Sequence, residues 1–195
     1  IEFEGNDHFS DGELRGALQY VKPTGLISRI KGMDILHLEK LQADLQRNVR
    51  AHMWSKGYFQ ARIGEPRVEG MGYKRTGFPI LKAFPLPLVT SKDDTLRIIV
   101  PVTEGKVFRV GELKVEGNSI FSEQQILGYV GLKQGEIADG KRLQDAVFED
   151  LKKVYGSQGF VQYTAEFDPQ FKDNPAKPGE GIVDITITIE EGKQF

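Results

Sequence analysis

From Val183 to Glu190 apolar and polar residues alternate without a break. Val183, Ile185, Ile187 and Ile189 share one face, and Asp184, Thr186, Thr188 and Glu190 the other. A period of two predicts a half-buried strand. Leu96, Ile98, Val100 and Val102 predict the same strand earlier in the chain. Leu113 and Val115, between Lys114 and Glu116, predict a shorter one, stopped by Gly117 and Asn118, which permit a sharp turn. The period then becomes helical. Ser122 stands three residues before Gln125, and Ser10 three before Glu13, a spacing that opens a helix with a capping box. Ile126 and Val130, like Leu14 and Leu18, line a short first helix. Leu143, Val147, Leu151 and Val154 or Tyr155 mark the buried stripe of a longer one capped by Asp139, and Leu38, Leu41, Leu45, Val49 and Met53 mark its counterpart. Gly57 and Gly159, each followed by apolar residues, close these helices. Next come a strand with Phe59, Ala61 and Ile63 inward, or Val161, Tyr163, Ala165 and Phe167, and then the alternating strand.

The pattern repeats because the sequence does. Ile1, Glu2, Phe3, Glu4, Gly5, Asn6, Phe9 and Ser10 return at a constant shift as Leu113, Lys114, Val115, Glu116, Gly117, Asn118, Phe121 and Ser122. Val102, Thr103, Glu104, Gly105, Lys106 and Phe108 return as Ile189, Glu190, Glu191, Gly192, Lys193 and Phe195. The predicted class is α+β: two tandem β-α-α-β-β modules, residues 1–105 and 106–195, each a three-stranded mixed sheet with two helices on one face. The join falls near Lys106, with Gly105, Phe108 and Val110 as a restricted interdomain hinge, because few residues precede the strand predicted at Leu113. Both ends fall at repeat boundaries, as expected of a piece cut from a longer protein.

Two insertions break the repeat. One lies between the helices of the first module and carries Leu26, Ile27, Ile30 and Met33. The other, Gly70 to Asp94, holds Phe78, Ile80, Leu81, Phe84, Leu86 and Leu88, an apolar loop that is a candidate contact surface or a lid over its own sheet.

Chemistry narrows the function by exclusion. The net charge of −2 offers no field for nucleic acid, and Gly156-Ser157-Gln158-Gly159 ends a helix instead of joining two, where a backbone clamp for nucleic acid would lie. Without cysteine there is no disulfide, thiolate site or cysteine nucleophile. His8, His37 and His52 are spaced too irregularly for a local metal motif. Glu190 and Glu191 are neighbours, so a strand turns them to opposite faces. No stretch approaches the ~18 apolar residues of a membrane helix. No catalytic residue, metal, cofactor, nucleic acid or small-molecule substrate is expected.

The element order, with its Gly-Asn…Phe-Ser opening and Glu-Gly-Lys-x-Phe close, resembles the POTRA (polypeptide-transport-associated) domain. The resemblance covers nearly the whole chain and rests on Gly5, Asn6 and Phe9; Gly57, Tyr58 and Phe59; Glu104, Gly105 and Phe108; and on Gly117, Asn118 and Phe121; Gly159, Phe160 and Val161; Glu191, Gly192 and Phe195. It implies the periplasmic arm of an outer-membrane protein assembly factor of the BamA type, in a Gram-negative-type bacterium, with a transmembrane β-barrel following in the parent chain. Such an arm is a scaffold, not an enzyme. Its implied partners are unfolded outer-membrane proteins, taken up by β-augmentation at sheet edges, and accessory assembly lipoproteins. The alternative is the arm of a two-partner secretion transporter or translocation-assembly paralogue, exporting its clients. Carried onto this chain, the edges are Phe59, Gln60, Ala61, Arg62 and Ile63, and Val161, Gln162, Tyr163, Thr164 and Ala165. The family places the last strand centrally, where Pro101 cannot donate to a ladder. Either pairing frays there or the first sheet has another order.

Overall fold

The strictly alternating strand lies at the centre of its sheet. In the computed structural model, which describes residues 1–19, 38–75 and 92–195, Val183, Ile185, Ile187 and Ile189 are all buried. The first module comprises β1 (Glu2–Glu4), α1 (Asp11–Ala17), α2 (38–55), β2 (Arg62–Ile63), β3 (Arg67–Arg75) and β4 (Lys92–Thr103). The second comprises β5 (Val107–Glu116), α3 (Glu123–Val130), α4 (140–157), β6 (Thr164–Asp173) and β7 (Glu180–Glu190). In both long helices five central residues, Leu45–Val49 and Ala146–Asp150, wind as π-helix.

The second sheet has the order β5-β7-β6, with β7 parallel to β5 and antiparallel to β6. The first has β4 between β1, parallel, and the antiparallel pair β2 and β3. The helices cover one face. Leu14, Leu41, Leu45, Val49 and Met53 meet Ile98 and Val100, and Ile126, Leu143, Val147, Leu151 and Tyr155 meet β7. Ser122 closes its capping box, accepting from Gln125 N at 3.3 Å while Gln125 Oε1 accepts from Ser122 N at 2.9 Å. Ser10 accepts from Glu13 N at 3.2 Å, but the Glu13 carboxylate accepts from His52 Nε2 of α2.

Three expectations change. First, β5 begins at Val107 instead of Leu113, so only Glu104, Gly105 and Lys106 separate the two sheets. Its register against β7 shifts between Val110 and Leu113. Phe108 and Val110 point inward before this bulge, Leu113 and Val115 after it, so the apolar residues change from even to odd positions and the alternation is hidden.

Second, Pro101 neither frays β4 nor reorders the sheet. It pairs with Glu4 on one side. On the other side the partner breaks: pairing passes from Ile63↔Val102 to Arg67↔Ile99, skipping residues 64–66, and Gly64 N donates to Pro101 O at 2.8 Å. The missing donor is thus opposite the gap. A Cβ on Gly64 would stand 2.7 Å from Pro101 Cγ. Gly64→Val is therefore expected to cost about 1–3 kcal/mol by overpacking. Adding Pro101→Ala should recover most of it; a double variant as weak in urea as the single one would absolve the proline ring.

Third, the span Gly70 to Asp94 is not all loop. β3 runs on to Arg75 and β4 starts at Lys92, paired across a register shift between Glu69 and Gly72. Phe78, Ile80, Leu81, Phe84, Leu86 and Leu88 lie outside the described residues, as do Leu26, Ile27, Ile30 and Met33.

Candidate peptide-binding edge and module junction

The repeated motifs build one device twice. Each Gly-Asn turn leaves its strand at positive φ (86° at Gly5, 77° at Gly117), and a Cβ at either glycine would overlap the carbonyl oxygen of Val102 or Ile189. The asparagine then spans the turn, with Asn6 Nδ2 donating to Phe9 O and Asn118 Nδ2 to Phe121 O, both at 2.8 Å. A buried glutamate at the end of the last strand holds the following loop. Glu191 accepts from Ser119 N at 2.8 Å, Ile120 N at 3.0 Å, the Ser119 hydroxyl, and Tyr155 Oη of α4 at 3.0 Å. Glu104 accepts from His8 N at 3.0 Å, Phe9 N at 3.3 Å and His8 Nδ1 at 2.7 Å. Met53 occupies the first module's helix where the second has Tyr155 and cannot donate; His8 from the loop supplies the polar contact instead.

The second device joins the modules. The Gly57 carbonyl, at the end of α2, accepts from Phe108 N at 2.9 Å, and Ala138 N donates to Phe108 O at 2.9 Å. Phe59 stacks on Trp54 with ring centres 5.9 Å apart and meets Phe108 and Phe171 edge-on at 6.5 and 6.0 Å; Phe108 and Phe171 lie 4.7 Å apart. Gly181 leaves the space into which the Phe108 ring fits. Lys106 Nζ donates to Asp173 Oδ1 at 2.6 Å. Of the predicted hinge residues, Gly105 sits in the connection at φ 74°, while Phe108 and Val110 are buried in the second module's core. Phe59, read from the sequence as an edge residue, belongs to that core too. The joint is packed.

The sheet edges therefore start later than the pattern predicts. Phe59, Gln60 and Ala61 precede β2; only Arg62 and Ile63 lie on it, and the edge resumes as β3. Val161, Gln162 and Tyr163 precede β6; Thr164 and Ala165 lie on it. Tyr163 is a core residue whose hydroxyl donates to Val147 O at 3.0 Å, and burial pushes its pKa up to about 12. β3 carries no strand signature, because Arg67-Val68-Glu69-Gly70-Met71-Gly72 does not alternate. The continuation of β6 past Phe167 to Phe171 does leave a signal, interrupted by Pro169.

Among the described residues no strand pairs with the outer side of β6, whose ten residues pair with β7 without a shift. Thr164, Glu166, Asp168, Gln170 and Lys172 occupy its polar face. On the helix side, Phe167 lies 5.9 Å from the ring of Phe148 of α4, and Phe148 remains 42% exposed. An open cleft of about 850 Å³ lies beside the β5 bulge, but its cations already have partners: Arg109 binds Glu180 and Lys172 binds Asp184. Among the described residues no group of three His, Cys, Asp or Glu is placed to hold a metal ion, and no helix is long and apolar enough to cross a membrane.

Two β-α-α-β-β units follow one another in this chain, each clamped at its opening turn and packed against the other at the joint, and β6 is an outer strand with no partner on its far side among the described residues. The chain belongs to the POTRA family, described as a surface antigen variable number repeat, whose profile matches residues 1–105 and 108–192. It is 26% identical over 195 residues to a Treponema pallidum (strain Nichols) protein provisionally named an outer membrane protein assembly factor, covering 98% of this chain and 20% of that one. In fold it is similar to Haemophilus influenzae BamA POTRA3-5 (TM-score 0.62, 16% identity, 99% of this chain and 65% of that one). It is also similar to Haemophilus ducreyi BamA lacking POTRA domains 1-3 (TM-score 0.51, 15% identity, 89% and 28%). The chain thus spans about a fifth of the length of the curated relative it matches.

Proposed function

We propose that these modules form part of the periplasmic arm of an outer-membrane β-barrel assembly factor and act as a non-enzymatic scaffold. Unfolded outer-membrane proteins add as strands to a sheet edge, accessory assembly lipoproteins dock elsewhere on the arm, and the parent chain carries a β-barrel. The observation that carries this reading is β6: an outer strand with one row of backbone donors and acceptors unpaired among the described residues. Such a row binds extended chains with little regard to sequence, because the main chain supplies the bonds. The family and the named relative support the setting.

A photo-crosslinking side chain at Glu166, in the middle of the open edge, is expected to capture a urea-diluted β-barrel protein. The same group at Glu123 on α3 is the control. Capture at Glu166 no greater than at Glu123 would refute β6 as the client edge.

A further inference from the structure

One residue of β6 does not suit an edge that pairs along its whole length. Pro169 lies opposite Ile185, in the middle of the strand. The direction of its backbone follows from neighbouring contacts. The Ile189 carbonyl points toward β5, against Gly117, and successive residues of a strand turn their backbone groups to alternate sides. Ile185 therefore also faces β5, and the Ile185–Pro169 pair is one without hydrogen bonds between its members. The first module agrees in phase: the Val102 carbonyl points toward β1, against Gly5, and the Pro101 carbonyl accepts from Gly64 on the opposite side. Hence Ala165, Phe167, Pro169, Phe171 and Asp173 turn their backbone groups to the open edge, and at Pro169 the donor is missing and the ring projects where a client backbone would lie.

The two stretches that remain are unequal. Beyond Pro169, Phe171 packs on Phe59 and Phe108, and Asp173 is bound by Lys106, so this half abuts the module joint. Before Pro169, Ala165 and Phe167 are partly buried against the core and Phe167 lies beside the exposed ring of Phe148, while Glu166 and Asp168, with Glu190 next to Thr164, make the other face acidic. We propose that Pro169 is a stop: it confines a client strand to Thr164–Asp168, where the edge takes a short extended segment with apolar residues on one face and lysine or arginine on the other. This rests on the reading of β6 as the client edge.

The test uses capped peptides of five, seven and nine residues alternating valine and lysine, titrated into the two-module chain by NMR. With the wild type, affinity should level off at five residues, and Val–Glu peptides should bind more weakly. With Pro169→Thr, confirmed as folded by circular dichroism, the nine-residue peptide should bind about 10-fold more tightly, the worth of one or two added hydrogen bonds. Affinity rising through nine residues in the wild type, or an unchanged length dependence in Pro169→Thr, would overturn the stop while leaving Glu166 capture intact. Binding by Pro169→Thr alone would make the proline a guard against any pairing and overturn the inference. If neither protein binds and Glu166 captures no client, the edge reading itself fails.

Discussion

Phe108→Ala is expected to cost about 3–5 kcal/mol of stability, the usual loss for a buried phenylalanine, and to uncouple the two modules. The ring is buried at the joint between Phe59 of the first module and Phe171 of the second, in the space left by Gly181. Its removal leaves a cavity that Gly181 cannot fill and deprives Phe59 of an edge-on partner. The single tryptophan of the chain, Trp54, stacks on Phe59 and so reports on this joint. In urea the wild type should unfold in one transition by Trp54 fluorescence and by far-ultraviolet circular dichroism. The variant should separate the two signals, Trp54 changing before the bulk of the helix is lost. Coincident curves with an unmoved midpoint would mean that the joint contributes little. A Phe59/Phe108 double-mutant cycle should show coupling of about 0.5–1.5 kcal/mol, the range for aromatic pairs.

The second large effect is expected at Glu191. Burial alone would raise the pKa of this carboxyl, but the Ile120 amide, the Ser119 hydroxyl and amide and the Tyr155 hydroxyl together hold it below the ordinary carboxylate value. Glu191→Ala strands those donors, and at about 1–3 kcal/mol for an unmet buried group the loss should reach about 3 kcal/mol near neutral pH. The sign of the pH dependence follows from the lowered pKa. The folded state prefers the ionised carboxylate, so its contribution is complete above the ordinary carboxylate range and disappears as the pH falls through the lower folded value. The stability gap between wild type and Glu191→Gln should accordingly be widest near neutral pH and close in acid. A gap that stays constant as Glu191 is protonated would show that shape, not charge, holds the loop.

Much of this architecture was readable because it is local. Alternation located β4 and β7, Ser122 and Gln125 marked the start of α3, and the paired Gly-Asn and Glu-Gly motifs announced two copies. The residues without a local signal are those whose role depends on a distant partner. Phe59 looks like the first inward residue of a strand, yet its partners are Phe108 and Phe171 in the other module. Tyr163 is inward as its spacing implies, yet it precedes β6, and its hydroxyl partner is Val147 O on the long helix. The start of β5 was hidden by a bulge, and β3 by a glycine-rich stretch that pairs only because β4 lies beside it.

The chain by itself therefore determined the repeat, the element order and the turn chemistry, since each depends on spacings of two to four residues and on backbone freedom at named glycines. Only the tertiary structure decided how the modules lock and which strand lies outermost. It also showed that Pro101 faces a gap and Pro169 an edge unpaired among the described residues. Those properties depend on which backbone groups find partners across the sheet, and a strand has the same period whether its neighbour is present or not.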